Sequence, residues 1–204
     1  MVKKLIFSIF LLILFPFGSQ IWAQDYKFPE LAAIEAEYIV KCQFDDVNSR
    51  AFGAINNVYG KPTWVVPREN AMAILGLIMA GDILGEDIYR QKAQLAGDYL
   101  VRIQDKDGAW FNQYYFTEPG SGNPDDKEAL SKSPTQAAEV MIAFYKLGYN
   151  AARYNAMKKA ALYLMSCQKN GGDGNLLGGG KDSGGQYRSW RWASDNSYAY
   201  QALK

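Results

Sequence analysis

One pattern recurs three times along the 204 residues: Tyr38-Ile39-x3-Gln43, Tyr99-Leu100-x3-Gln104 and Tyr163-Leu164-x3-Gln168, at spacings of 61 and 64 residues. A second recurs in step with it: Glu69-Asn70-Ala71, Thr135-Gln136-Ala137 and Asp195-Asn196-Ser197, each opening an apolar run. Two linked motifs at one period define a repeat architecture, whose units cannot bury an apolar face alone and must stack on neighbours.

The segments between the motifs read as helices of two kinds. "NAMAILGLIMAGDIL" (70–84) and "TQAAEVMIAFYKLG" (135–148) are apolar nearly all round, the pattern of helices covered on most faces. "DIYRQKAQLAGDYLVRIQ" (87–104) and "ARYNAMKKAALYLMSCQ" (152–168) carry charge on one side and apolar residues at i, i+3 and i+4. Alternation of the two kinds predicts two concentric layers, with 70–84, 135–148 and 195 onward inside and 30–43, 87–104 and 152–168 outside. The expected fold is all-α: an α/α toroid of helical hairpins, of which about two and a half are present. The apolar helical pattern runs on to "NSYAYQALK" without a stop signal, so the chain reads as the N-terminal part of a longer toroid.

Loop lengths orient the layers. Inner-to-outer turns, near Gly85-Glu86 and over 148–151, are a few residues long, whereas the outer-to-inner connections 44–68, 105–133 and 169–193 each exceed 20 residues. Connections that long in a compact domain are commonly functional. All three join the end of an outer helix to the start of an inner one, so they gather on one rim, where the site is expected. Within that frame Tyr-Leu-x3-Gln is chiefly scaffold: the aromatic and aliphatic pack, and the Gln clamps the turn that follows.

Lys3 and Lys4 precede an apolar run over 5–17 and then Ile21-Trp22-Ala23, which reads as a signal peptide over 1–23, leaving 24–204 as the toroid part. An apolar core of about 13 residues is too short for the roughly 20 of a spanning helix. A secreted or periplasmic, monomeric protein is expected. Without Lys3 and Lys4, the 22 basic residues become 20 against 21 acidic ones, a balance with no broad footprint for nucleic acid. Histidine is absent, which excludes imidazole catalysis and His-ligated zinc within these residues and leaves acid–base work to carboxylates, Tyr, Lys or Arg.

"GDYLVRIQDKDGAW" (97–110) resembles the QW repeat of terpenoid cyclases and related α/α-toroid proteins: aromatic, aliphatic, three residues, Gln, a short gap and Gly-x-Trp. The match is partial at 163–174 and poor at 38–53. The hairpin pattern also resembles six-hairpin glycosidases and pectate-lyase-like toroids of exported polysaccharide degradation. The latter resemblance implies a polysaccharide hydrolase or lyase. The cyclase resemblance lacks its Asp-rich protonation motif, since Ser133-Pro134-Thr135-Gln136 holds no carboxylate.

Loop chemistry agrees with a sugar ligand. Trp64, Trp110, Trp190 and Trp192 all fall in the long connections, with Tyr114 among them. Aromatic faces pack on the C–H faces of sugar rings. In "YRSWRWASDNSYAY" (187–200), Arg188 and Arg191 lead into Asp195 and Asn196 at an inner-helix start, a corner suited to a uronate carboxylate. Asn70 holds the position equivalent to Asn196. Glu69, Glu139 and Asp195 are the catalytic candidates, because glycoside hydrolysis commonly uses paired carboxylates. No cofactor is required. "DKDG" (105–108) is half a calcium loop that lacks the late Glu of an EF-hand.

Cys42 and Cys167 occupy equivalent points on the first and third outer helices, with the second expected between them, so two buried thiols are predicted. The functional expectation is an exported carbohydrate-active enzyme acting on an oligo- or polysaccharide. The alternatives are a non-catalytic toroid binding glycan or protein, and a terpenoid-cyclase-like protein.

Overall fold

The chain's computed structural model describes residues 28–56, 64–115, 118–119, 127–170, 177–190 and 193–204, so the expected signal peptide lies outside the described residues. Within them are six α-helices: α1 (Phe28–Lys41), α2 (Pro67–Leu84), α3 (Asp87–Arg102), α4 (Pro134–Lys146), α5 (Ala151–Asn170) and α6 (Ala193–Leu203). Local chemistry sets their ends. Pro67 and Pro134 open α2 and α4, where an absent N–H leaves no bond unmade. The Ser133 hydroxyl accepts from the Gln136 N–H at 3.1 Å, and Asn150 Oδ1 accepts from Ala152 and Arg153 at 2.9 and 3.2 Å. Caps of this kind contribute about 1 kcal/mol each. Gly85, at φ 69°, closes α2 by donating to the Gly81 carbonyl.

The helices pack in two layers. α2, α4 and α6 touch in succession, as do α1, α3 and α5, and the short turns set α2 against α3 and α4 against α5. α4 has an inner-layer neighbour on each side, and ten of its thirteen residues are buried. On α2, by contrast, Met72, Met79 and Ile83 remain exposed. The expectation of burial on most faces therefore holds for α4 and fails for one stripe of α2, because among the described residues α4 has an inner-layer neighbour on each side and α2 has one.

Strand structure is slight. β1 (Tyr114–Tyr115) pairs antiparallel with β2 (Glu118–Pro119), and isolated bridges join Gln43 to Ile55, Val65 to Tyr114, Lys132 to Lys181 and Lys181 to Tyr187. The Val65–Tyr114 and Lys132–Lys181 bridges tie successive long connections to one another near the starts of the inner helices. No helix among the described residues is long and apolar enough to cross a membrane.

Candidate functional site

The repeated glutamine is a clamp with two targets. Gln43 Nε2 donates to the Gly53 carbonyl in its own turn and to the Lys92 carbonyl of α3, both at 2.9 Å. Gln104 Nε2 repeats this with Gly108 at 2.8 Å and Ala156 of α5 at 2.9 Å. Beside each bond a glycine lies against the same outer helix. A Cβ on Gly53 (φ 85°) would meet the Leu95 carbonyl oxygen at 2.4 Å, and one on Gly108 (φ 89°) the Lys159 oxygen at 2.1 Å. Sequence reading anticipated the clamp on the following turn and missed its reach to the next outer helix.

The second repeated position is scaffold as well. Asn70, fully buried, accepts from the Ile55 N–H at 2.7 Å and donates to the Ile55 carbonyl at 2.8 Å. Gln136 donates to the carbonyls of Trp110 and Phe111 at 3.1 and 2.9 Å, and Asn196 accepts from the Leu177 N–H at 2.9 Å. Each holds its preceding connection against the start of an inner helix.

Trp110 and Tyr114 are not available to stack on sugar. Trp110 is 1% exposed, donates from Nε1 to the Leu100 carbonyl at 2.8 Å and meets Phe144 edge-on at 6.1 Å. Tyr114 is 2% exposed; its hydroxyl donates to the Ile103 carbonyl at 2.8 Å and accepts from the Phe111 N–H at 3.1 Å. Both expectations are corrected for one reason: each ring's polar tip meets a backbone partner inside the fold, so the apolar remainder is buried at no polar cost.

The half calcium loop finds its cations within the chain. Lys132 Nζ bonds to Asp105 and to both oxygens of Asp107 at 3.0 Å, and Lys181 Nζ lies 2.7 Å from Asp107 Oδ2. Burial pushes the Asp107 carboxyl up, but bonds from Lys181 and Lys132 outweigh it and hold the group below its ordinary value. Lys132 also sits 4.4 Å over the Phe111 ring, and Lys181 5.2 Å over Tyr187. This clasp joins the turn after α3, the residue preceding the α4 cap and the 177–190 connection.

The three candidate carboxylates lie near the starts of successive inner helices, Glu69 and Asp195 in the first turns of α2 and α6 and Glu139 one turn further into α4. Asp195, 5% exposed, accepts from the Thr135 hydroxyl at the start of α4. One turn along α4 lies Glu139, 3% exposed, whose Oε1 accepts from Arg68 Nε at 3.2 Å. Its Oε2 lies 2.9 Å from the same nitrogen as an ion pair, yet has no hydrogen bond. Burial pushes the Glu139 carboxyl above its ordinary value against the opposing pull of Arg68. Glu69, beside Arg68 on α2, is also raised by burial, with Arg68 again opposing. The helix starts thus carry a polar line from Glu69 and Arg68 through Glu139 and Thr135 to Asp195.

Aromatic surface persists at three places on this rim. The bridge between Val65 and Tyr114 sets Trp64 opposite Tyr115 in register; alternation buries Val65 and Tyr114 and leaves Trp64 half-buried and Tyr115 exposed. Trp190 is 49% exposed, with the Arg188 guanidinium 4.7 Å over its ring. A Cβ on Gly179 would lie 1.9 Å from the Trp190 indole nitrogen, so glycine there admits the ring. Arg191 and Trp192 lie outside the described residues.

The sequence reading did not single out Arg50 or Arg102, which line a cleft of about 420 Å³ with Ile103, Gln104, Asp105, Phe111 and Tyr114. Their signal was available: both are cations at the mouth of a long connection, one following an outer helix and one ending the next. Among the described residues no group of three or more His, Cys, Asp or Glu side chains gathers as a metal site. Cys42 and Cys167 are free and buried, and burial pushes the Cys167 thiol up to about 12.

No protein-family model matches the chain, and no curated protein matches it.

Proposed function

We propose that this is an exported carbohydrate-active protein, a polysaccharide hydrolase or lyase built on an α/α toroid, with its site on the long-connection rim. The observation that carries the reading is Glu139: a buried carboxyl with a raised proton affinity and one oxygen free of hydrogen bonds, one turn from the Thr135–Asp195 pair. A carboxyl whose proton affinity is raised by burial is suited to donate a proton to a leaving oxygen, while a second carboxylate supplies the base or nucleophile. In this reading Glu139 is the donor and Asp195 its partner. Arg68, 54% exposed at its side chain, is the cover that swings aside to admit substrate.

Trp64, Tyr115 and Trp190 supply stacking faces, and Arg188, Arg50 and Arg102 supply cations for a uronate carboxylate. If the substrate is a uronate, the same carboxylates serve β-elimination, removing the proton beside the sugar carboxylate. A second reading, a non-catalytic glycan- or protein-binding toroid, is favoured by the depth of Glu139 and Asp195, both sealed by contacts within the chain.

Turnover separates the two readings. Purified protein is incubated with neutral and uronic oligosaccharides, and new reducing ends and unsaturated products are measured beside binding. Catalysis predicts that Glu139→Gln and Asp195→Asn each lower the rate by about 10²–10⁴-fold with binding kept. Binding without turnover establishes the glycan-binding form of the second reading, and indifference to every glycan removes the carbohydrate reading and leaves protein binding.

A further inference from the structure

The cleft of about 420 Å³ opens between the first and second repeats, with Arg50 of the connection after α1 on one side and the end of α3 with its following connection on the other. It stands at the outer-helix end of the rim, and none of Glu69, Glu139 and Asp195 lines it. Small-ligand sites commonly enclose roughly 300–1,000 Å³, so the space admits a sugar residue.

The character of the cleft follows from which of its polar groups are already engaged. Gln104 Nε2 is taken by the Gly108 and Ala156 carbonyls at 2.8 and 2.9 Å. The Tyr114 hydroxyl donates to the Ile103 carbonyl at 2.8 Å and accepts from the Phe111 N–H at 3.1 Å. The Asp105 carboxylate is bonded to Lys132, which offsets its charge inside the chain. Arg102 is anchored without being neutralised: among the described residues its partners are the Phe52 carbonyl and the Tyr99 ring, 5.7 Å from the guanidinium. One carbonyl cannot engage the five N–H donors of a guanidinium. The cleft therefore presents cationic donors beside the half-buried Phe111 ring, the complement of an oxyanion carried on a ring with apolar faces. These cations are also held in place. Phe52 belongs to the same connection as Arg50, and that connection is fixed to α3 by the Gln43 clamp and by Gly53 against Leu95. Little ordering is left for a ligand to impose. Nor does the scaffold require the two arginines, since the Gln104 clamp one repeat later forms with Phe111 and Ser166 in their places.

We propose that this cleft is a subsite for an acidic glycan, seating the oxyanion of a sugar residue away from the bond at Glu139, with Arg102 and Arg50 as its specificity-determining residues. The inference rests on the carbohydrate reading above and narrows it from glycans in general to those bearing a carboxylate or a sulfate ester. Guanidiniums recognise both oxyanions by the same paired, charge-assisted hydrogen bonds. Neither arginine touches the reacting bond in this arrangement, so losing one weakens the hold on an acidic chain and leaves the hold on a neutral chain as it was.

Calorimetric titration of the whole chain tests this with galacturonate and mannuronate hexasaccharides, their methyl esters, and a galactose hexasaccharide with and without sulfation. Arg50→Gln and Arg102→Gln are measured singly and together, with the charge-keeping Arg102→Lys beside them. Both arginines are exposed, and unchanged circular dichroism verifies that the variants fold. At least one acidic hexasaccharide is expected to bind about tenfold or more tightly than its neutral counterpart, and which one it is identifies the oxyanion. Each Gln variant is expected to lose most of that margin with neutral binding unchanged, and Arg102→Lys to lose less than Arg102→Gln. Equal affinity for acidic and neutral hexasaccharides, or a margin that survives the double substitution, overturns the subsite while the carbohydrate reading stands. Binding of no hexasaccharide at all removes both.

Discussion

Tyr99 and Tyr38 hold the same place in successive repeats and opposite places in the molecule. Tyr99 is fully buried between neighbours, while Tyr38 stands half in solvent on α1. The same contrast separates α4, enclosed by α2 and α6, from α2, whose Met72, Met79 and Ile83 are uncovered. The repeated tyrosine thus carries different energetic weight according to whether a neighbouring helix covers it, as expected where stability is a sum of unit and interface terms.

The strongest way to break this comparison is to truncate both tyrosines. Tyr99→Ala is expected to cost about 3–5 kcal/mol, as for a large buried aromatic, and Tyr38→Ala less than about 1 kcal/mol at its exposed position. Urea unfolding measures both, and equal losses would show that the two sites are equally covered. The turn glycines sharpen the contrast at a smaller scale. Gly108→Ala adds a Cβ at φ 89° against the Lys159 oxygen and is expected to cost about 1–3 kcal/mol from backbone strain, with the collision in addition. Gly85→Ala, at φ 69° with nothing within 4 Å, is expected to cost about 1 kcal/mol.

The smallest effect is a pH dependence confined to the middle of the molecule. Because the folded Asp107 carboxyl is held below its ordinary value, its contribution is complete above the unfolded value, near 3.8. That contribution is lost as pH falls through the lowered folded value. Stability should therefore decline in acid with a component that Asp107→Asn removes; an unchanged acid limb in that variant would take the clasp out of the account.

Sequence periodicity made the helices, their alternation and the long-connection rim legible, since amphipathic spacing and the Pro, Ser and Gly signals act locally. The buried thiols followed from their equivalent places in the repeat. Composition marks Trp110 and Tyr114 as rings suited to a sugar but does not say where a polar tip goes; the Leu100 and Ile103 carbonyls take both. The partners of Asp105 and Asp107 were not legible in the sequence, because Lys132 and Lys181 lie 25 or more residues away.

By itself the sequence determined a repeated helical hairpin with two kinds of helix, because apolar spacing and capping act within a few residues. Only tertiary structure decided which of the repeated residues are enclosed, which carboxyl is buried against Arg68, and which lysine meets which aspartate. Those outcomes depend on contacts between segments a whole repeat apart, where burial and the nearest opposite charge are properties of the packed layers.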